Sequence, residues 1–305
     1  VTVYCRSTYQ THKFDEYNGV KLKHIETVDN KNLDAIVYTY RAIKDSLKND
    51  FDIIHIHAIG PASLSFLPRL SHRKVVVTIH GLDWQRDKWG RFAKLYLKFG
   101  ERMAGENADK LISVSSNLKD YFISKYKRSE EDVIFIPNGV NSVFSEDPDV
   151  IKKYGLEKNN YILFLARLVP EKGAHYLIDA FKGIDTDKKL VIAGGSSYTD
   201  GYVDTLKKMA HYHKNIIFTG NVSGKLLNEL YSNCYLYVLP SDIEGMPLTL
   251  LEAMSYGNCC LVSDIPENLD VIEGNIYGYH FEKGNVDSLR NELIQLIKSN
   301  DAVKR

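Results

Sequence analysis

Short runs rich in β-branched residues alternate with amphipathic stretches of about 10 to 15 residues along almost the whole chain. Parallel strands need a crossover between them, so this alternation is the signature of a parallel sheet covered by helices. The expected fold class is therefore α/β. In the first half the strand candidates are residues 1–6, 21–27, 52–57, 74–80, 110–115 and 133–137. Residues 141–160 are polar, with one proline and little apolar periodicity, and read as a link between domains. The series then restarts at 161–167, 189–193, 215–219, 236–239 and 259–263. Two doubly wound, Rossmann-like domains are expected, residues 1–145 and 146–305, with ligands beyond the carboxyl ends of their strands.

A chain of 305 residues can bury two separate cores. Its 39 lysines and arginines cancel 39 aspartates and glutamates, so no overall positive field exists to hold a nucleic acid backbone, and nucleic acid is not an expected partner. The four cysteines, Cys5, Cys234, Cys259 and Cys260, form no CxxC pair and no metal-ligand spacing. They read as reduced residues of a cytoplasmic protein. No basic-then-apolar opening resembles a signal peptide, and no uncharged apolar run reaches the roughly 18 residues of a membrane span. The chain opens directly on a strand pattern and ends in a charged helical one, so both domains are expected to continue beyond it.

The residues that suggest chemistry lie just after strands. Arg167 and Lys172 follow YILFL and precede a helix expected to start near Gly173. Two cations beside helix-terminal N–H groups can clamp a diphosphate, although a solvated loop with surface cations has the same composition. Gly194 and Gly195 follow the strand LVIA, where a backbone must approach something closely or take positive φ; a plain turn has the same look. In YVLPSDIEGMPLTLLEAMSYGNCCLVSD a buried strand ends at Pro240, and Pro247 sits where a first helical residue belongs. The N–H groups of Gly245, Met246, Pro247's neighbour Leu248 and the loop between them would then face the strand-end cleft. Glu244 and Glu252, eight positions apart, can accept hydrogen bonds from sugar and ribose hydroxyls, or can serve as a capping acid and a helix-face acid. His55 and His57 share one side of a strand. With no third ligand evident, no metal site is assigned.

The segment EGMPLTLLE resembles the E-x7-E motif of the retaining GT-B glycosyltransferases of family 4. ARLVPEKG is similar to that family's arginine and lysine pair, and PNGV and TIHG to its landmarks in the first domain. The resemblance runs in order through nearly the whole chain. It implies a GT-B architecture of two Rossmann-like domains facing a central cleft, and transfer of a hexose-type sugar, with retention, from a nucleotide diphosphate donor to a saccharide or lipid-linked acceptor in cell-surface polysaccharide synthesis. Arg167 and Lys172 would neutralise the donor diphosphate without a metal or other cofactor. Glu252 would bind the ribose hydroxyls, and Glu244 those of the transferred sugar, helped by N–H groups from Gly245 to Leu248. The base would lie near Gly194 and Val222. His80, at the end of VVVTIH, would act on the reacting sugar, and His57 would shape the acceptor pocket. The family opens with a strand and a glycine-rich loop that nothing before Val1 supplies. A GT-B epimerase and a non-catalytic nucleotide-sugar-binding module remain alternative readings.

One segment has a second meaning. In RDKWGRFAKLYLKFGERMAG, Arg91, Lys94, Lys98 and Arg102 recur at helical spacing beside Phe92, Leu95, Phe99 and Met103, with Trp84 and Trp89 just ahead. Such a helix can rest peripherally on the inner face of an anionic membrane. A helix that turns the apolar stripe to the core and the basic side to solvent gives the same pattern, and is the reading favoured from sequence.

Overall fold

The computed structural model describes residues 1–7, 14–28, 30, 33–86, 89–141, 147–197, 199–299 and 303. Contacts divide the chain into two compact units, Val1–Pro137 and Asn138–Arg305.

Among the described residues the first unit contains seven strands: β1 (Thr2–Arg6), β2 (Glu16–Tyr17), β3 (Val20–Ile25), β4 (Ile53–His57), β5 (Lys74–Ile79), β6 (Lys110–Ser113) and β7 (Val133–Phe135). Its helices are α1 (Asp34–Ser46), α2 (Ile59–Ala62), α3 (Phe66–Leu70), α4 (Arg91–Asn107) and α5 (Ser116–Tyr126). Among the described residues the strands form two sheets, ordered β1-β3-β2 and β4-β5-β6-β7. The second is parallel throughout. Val75, Val77 and Ile79, alternate residues of the inner strand β5, are fully buried on one face of the sheet.

Helix α4 corrects the favoured sequence reading. Its core-facing residues are Leu97, Gly100, Glu101, Ala104 and Gly105. Phe92, Leu95 and Phe99 instead face outward, at 90%, 64% and 47% exposure. The reason is close packing. A Cβ on Gly100 would lie 2.0 Å from the Ile59 carbonyl oxygen, and one on Gly105 would lie 2.5 Å from the Tyr126 ring, so small residues rather than large ones must face the neighbours. Glu101 locks the rotation further: its fully buried carboxylate accepts from Trp84 Nε1 (2.5 Å), Tyr121 Oη (2.9 Å), Lys125 Nζ (2.6 Å) and Tyr126 Oη (2.6 Å). Burial opposes ionisation there, but those donors win and hold the carboxyl below its ordinary range.

The described residues of the second unit form one six-stranded parallel sheet, ordered β10-β9-β8-β11-β12-β13. The strands are β8 (Tyr161–Leu165), β9 (Lys189–Ala193), β10 (Ile216–Gly220), β11 (Leu236–Leu239), β12 (Cys260–Ser263) and β13 (Tyr279–Phe281). The helices are α6 (Ala174–Lys182), α7 (Asp200–Ala210), α8 (Gly224–Asn233), α9 (Leu248–Ser255), α10 (Pro266–Ile272) and α11 (Val286–Lys298). Alternate strand residues feed opposite cores. Ile162, Phe164, Leu190, Ile192, Leu236 and Val238 pack with residues of α6, α7 and α11. Tyr161, Leu163, Val191, Tyr237 and Leu239 pack with residues of α8, α9 and α10. Helices on both faces explain why these strands are apolar at every position instead of alternating.

Of the polar segment 141–160, residues 142–146 lie outside the described ones. Ile151 and Leu156, from the rest, are fully buried in the second unit's core and so do not form a loose linker.

Candidate functional site

In chain order within their unit, β8 to β13 stack as third, second, first, fourth, fifth and sixth. Connections therefore leave in opposite directions from β8 and β11, and a crevice opens between the loops that follow them. Those two loops carry Arg167 and Lys172 on one side, and Glu244 with its following helix on the other.

Glycine brings the loops together. A Cβ on Gly173, at φ +70°, would lie 1.9 Å from the Pro240 carbonyl oxygen. One on Gly194, at φ +139°, would lie 1.8 Å from that of Ala166, and one on Gly195 would lie 2.3 Å from Asn221 Oδ1. The loops after β8, β9, β10 and β11 are thus in van der Waals contact, and backbone bonds from Leu168 N to Gly195 O (2.9 Å), Gly194 N to Gly220 O (2.9 Å) and Asp242 N to Glu171 O (2.9 Å) fix them.

Lys172 ends the short 3-10 helix Pro170–Lys172, and its ammonium donates to Glu244 Oε1 at 2.5 Å. The pair joins the two sides of the crevice and is mostly buried, with the side chains 14% and 7% exposed. Arg167 is exposed and forms no ion pair with any described residue. On α9, Glu252 Oε2 accepts from Tyr231 Oη at 2.9 Å. Tyr237, stacked in the core below, donates to Thr249 Oγ1 at 2.9 Å. Burial raises its pKa, and the charges of Cys260, Glu244 and Glu252 push the same way.

Helix α9 begins one residue later than expected. Pro247 is extended and caps the helix; its carbonyl accepts from Leu250 N (3.1 Å) and Leu251 N (3.2 Å). A proline cannot use an N–H, so its place just ahead of the helix keeps the donors of Leu248 and Thr249 for an incoming acceptor. Gly245 is buried, and Met246 O accepts from Asn138 Nδ2 at 3.1 Å. Val222 lies in the loop after β10 and packs partly against the core.

Sequence reading did not single out Glu171, Ser241 or Glu267. Glu171 Oε1 and the Ser241 hydroxyl are buried beside the crevice with no hydrogen-bond partner among the described residues. Glu267, in the first turn of α10, has its carboxyl pushed up by burial, with Asp270 and Glu244 adding to the effect. The rule that ligands meet strand carboxyl ends could have flagged all three. A cavity of about 380 Å³ lies at the opposite edge, lined by Asn159, Lys188, Tyr235 and Cys259 ahead of their strands. Helix N-termini do not point there, so it is a poor place for phosphate.

In the first unit, His80 follows β5 and meets the two histidines of β4. His57 Nδ1 and His80 Nε2 are 3.1 Å apart, their rings stack at 5.4 Å, and the His55 and His57 rings are 4.3 Å apart. His55 Nε2 bonds Thr78 Oγ1 at 2.7 Å. All three side chains remain exposed at the strand ends, and the partial loss of solvent where the rings pack together lowers the pKa of each; for His57, with His55 and His80 adding to it, the value falls to about 4. The rings are therefore neutral at pH 7. Between about pH 6.5 and 4 the unfolded chain binds protons that the native cluster refuses, so the stability of this unit falls as pH falls. Imidazole NMR titration should find His57 near 4, with the others below about 6.5; an unshifted His57 would mean that the cluster is not packed. Among the described residues no group of three or more His, Cys, Asp or Glu side chains is arranged to hold a metal ion.

Residues 146–305 match the family described as glycosyl transferases group 1, and residues 1–143 match glycosyltransferase family 4. The chain is 26% identical, over 87% of its length and 70% of the relative's, to an Escherichia coli UDP-Gal:alpha-D-GlcNAc-diphosphoundecaprenol alpha-1,3-galactosyltransferase. It is 31% identical, over 67% of its length and 56% of the relative's, to the Salmonella typhimurium O-antigen chain mannosyltransferase RfbU. Among solved structures, sucrose-phosphate synthase of Thermosynechococcus elongatus aligns with a TM-score of 0.84 at 16% identity, over 99% of this chain and 81% of that one. Anabaena HepE in complex with UDP and glucose aligns at 0.79 and 17% identity, over 94% and 79%. Together with the two α/β units, these matches show that the chain belongs to the glycosyl transferases group 1 family and is a glycosyltransferase of GT-B fold.

Proposed function

We propose that this glycosyltransferase moves a hexose-type sugar, with retention, from a nucleoside diphosphate donor to a saccharide or lipid-linked acceptor in cell-surface polysaccharide assembly. The observation that carries the donor half is the Lys172–Glu244 pair across the crevice, with the exposed Arg167 on the same loop as Lys172. As the glycosidic bond to phosphate breaks, negative charge builds on the leaving diphosphate. Arg167, Lys172 and the N–H groups at the start of α9 would stabilise that charge at the moment it forms. No metal is required on this reading. Glu244, relieved of Lys172, would accept from hydroxyls of the transferred sugar. Glu252, steadied by Tyr231, would hold the ribose. His80 would act on the reacting sugar as a neutral imidazole, and retention follows the resemblance to family 4. The named activities of the relatives make UDP-galactose and GDP-mannose the first donors to try.

Such an enzyme would work in the cytoplasm and meet a lipid-linked acceptor at the inner face of the membrane. Among the described residues no helix is long and apolar enough to cross it. The test is to incubate each donor with and without a lipid-linked saccharide in the presence of EDTA, following nucleotide release and the anomeric proton of the product. Acceptor-dependent release with an unchanged anomeric configuration is the expected result. Donor conversion that ignores the acceptor would point to an epimerase, and strict dependence on added Mg²⁺ would remove the metal-free clamp.

A further inference from the structure

The outward face of α4 joins two surfaces that soluble proteins usually keep apart. Phe92, Leu95 and Phe99 form an exposed apolar ridge; Phe92 is almost wholly in solvent. Along one side of this ridge run Arg91, Lys98 and Arg102, all exposed, with the half-buried Lys94 beyond them. The arrangement follows from helix geometry: positions 92, 95 and 99 fall on one stripe, and 91, 94, 98 and 102 on the adjacent one. Of the two acids in the helix, Glu101 is buried in its own network and Glu106 pairs with Arg102 at 2.8 Å. Lys98 is held 4.7 Å above the Trp84 ring, whose indole N–H is anchored by Glu101.

The ridge cannot be hidden by turning the helix. Gly100 meets the Ile59 backbone, Gly105 meets the Tyr126 ring, and the four donors around Glu101 fix the same rotation. A stripe of large apolar groups locked in water costs free energy unless something covers it. The cations beside it select the cover.

We propose that this face of α4 docks on a bilayer surface rich in anionic lipid, with Phe92, Leu95 and Phe99 entering the headgroup boundary and the exposed Arg91 and Lys98 meeting lipid phosphates. A zwitterionic surface would satisfy the ridge but not the cations, and a bound polyanion would satisfy the cations but not the ridge; an anionic membrane answers both. The inference stands apart from the sugar chemistry, because it rests on the first unit alone.

The test is co-sedimentation of the whole chain with vesicles of phosphatidylglycerol or of phosphatidylcholine, at low and high salt. Wild type should bind the phosphatidylglycerol vesicles, with a blue shift in tryptophan emission, and lose most binding in high salt. The exposed-residue variants Phe92→Ser/Leu95→Ser/Phe99→Ser and Arg91→Gln/Lys98→Gln should each weaken partitioning about tenfold or more, which is about 1.4 kcal/mol, while their melting temperatures and nucleotide responses stay unchanged. No vesicle binding by wild type would overturn the proposal. Equal binding by the serine variant would do the same, as would a vesicle-free dimer that this variant dissolves, since a second copy would then be the cover.

Discussion

Replacing Arg167 and Lys172 together by alanine should abolish the thermal stabilisation that a matching nucleoside diphosphate gives the wild-type chain. At about 100 times its dissociation constant a ligand adds roughly 2.7 kcal/mol to the state it binds. For a domain of this size that is a rise of roughly 5 to 11 °C in melting temperature. Scanning UDP, GDP, dTDP and ADP in EDTA would identify the base at the same time. Charge-assisted hydrogen bonds contribute about 1.5–3 kcal/mol each, so the double variant should also lose roughly a hundredfold to ten-thousandfold in turnover efficiency. A response that survives in the variant would show that the diphosphate sits elsewhere. Because Lys172 is bonded to Glu244, the single variant Lys172→Ala leaves a mostly buried carboxylate without its counter-ion, and should melt lower than Arg167→Ala.

The second large effect is expected at Gly173. Alanine there would need a methyl group 1.9 Å from the Pro240 carbonyl oxygen, on a backbone at φ +70° that L-residues avoid. Neither fault is cured by moving a side chain, since the obstacle is main chain at the end of a central strand. We expect Gly173→Ala to cost about 3 kcal/mol or more, which lowers the melting temperature by roughly 6 to 12 °C. It should also part the β8 and β11 loops and remove nucleotide binding. Gly201→Ala is the control, because a methyl there, in the first turn of α7, meets nothing within 4 Å. That change should be neutral or slightly stabilising, as alanine is the better helix former by about 1 kcal/mol. Equal melting of the two variants would refute the close approach.

How much of this was legible in the sequence depended on distance along the chain. The α/β alternation was readable because each strand is a local run, and β9 and β11 have the bounds expected from sequence, 189–193 and 236–239. Strand β13 was missed: three residues, Tyr279–Phe281, carry too little pattern beside Gly278. Positions of Arg167, Lys172, Glu244 and Glu252 near strand ends were also legible, since the strands themselves locate the loops. Their pairing was not. Lys172 and Glu244 are 72 residues apart, and only the strand order brings them together. His57 and His80 became neighbours in the same way, through the parallel register of β4 and β5. Helix α4 was misread for a different reason. Hydrophobic periodicity assumes that the largest apolar residues face the core, and that assumption fails where two helices approach so closely that only glycine and alanine fit between them.

The ion pair between Lys172 and Glu244 also bears on how a cycle would end. An ammonium this far from water is costly to leave bare, by several kcal/mol for an isolated ion. If the diphosphate were its sole partner, that penalty would hold the spent nucleotide in place and slow every round. Glu244 removes the penalty, since it stands within reach to take the proton-bearing nitrogen back as the product leaves. On the proposed donor site, free nucleoside diphosphate would compete with a resident counter-ion for the same three N–H bonds. Weakened product inhibition is the expected result, and Glu244→Gln should make the product bind more tightly and leave more slowly.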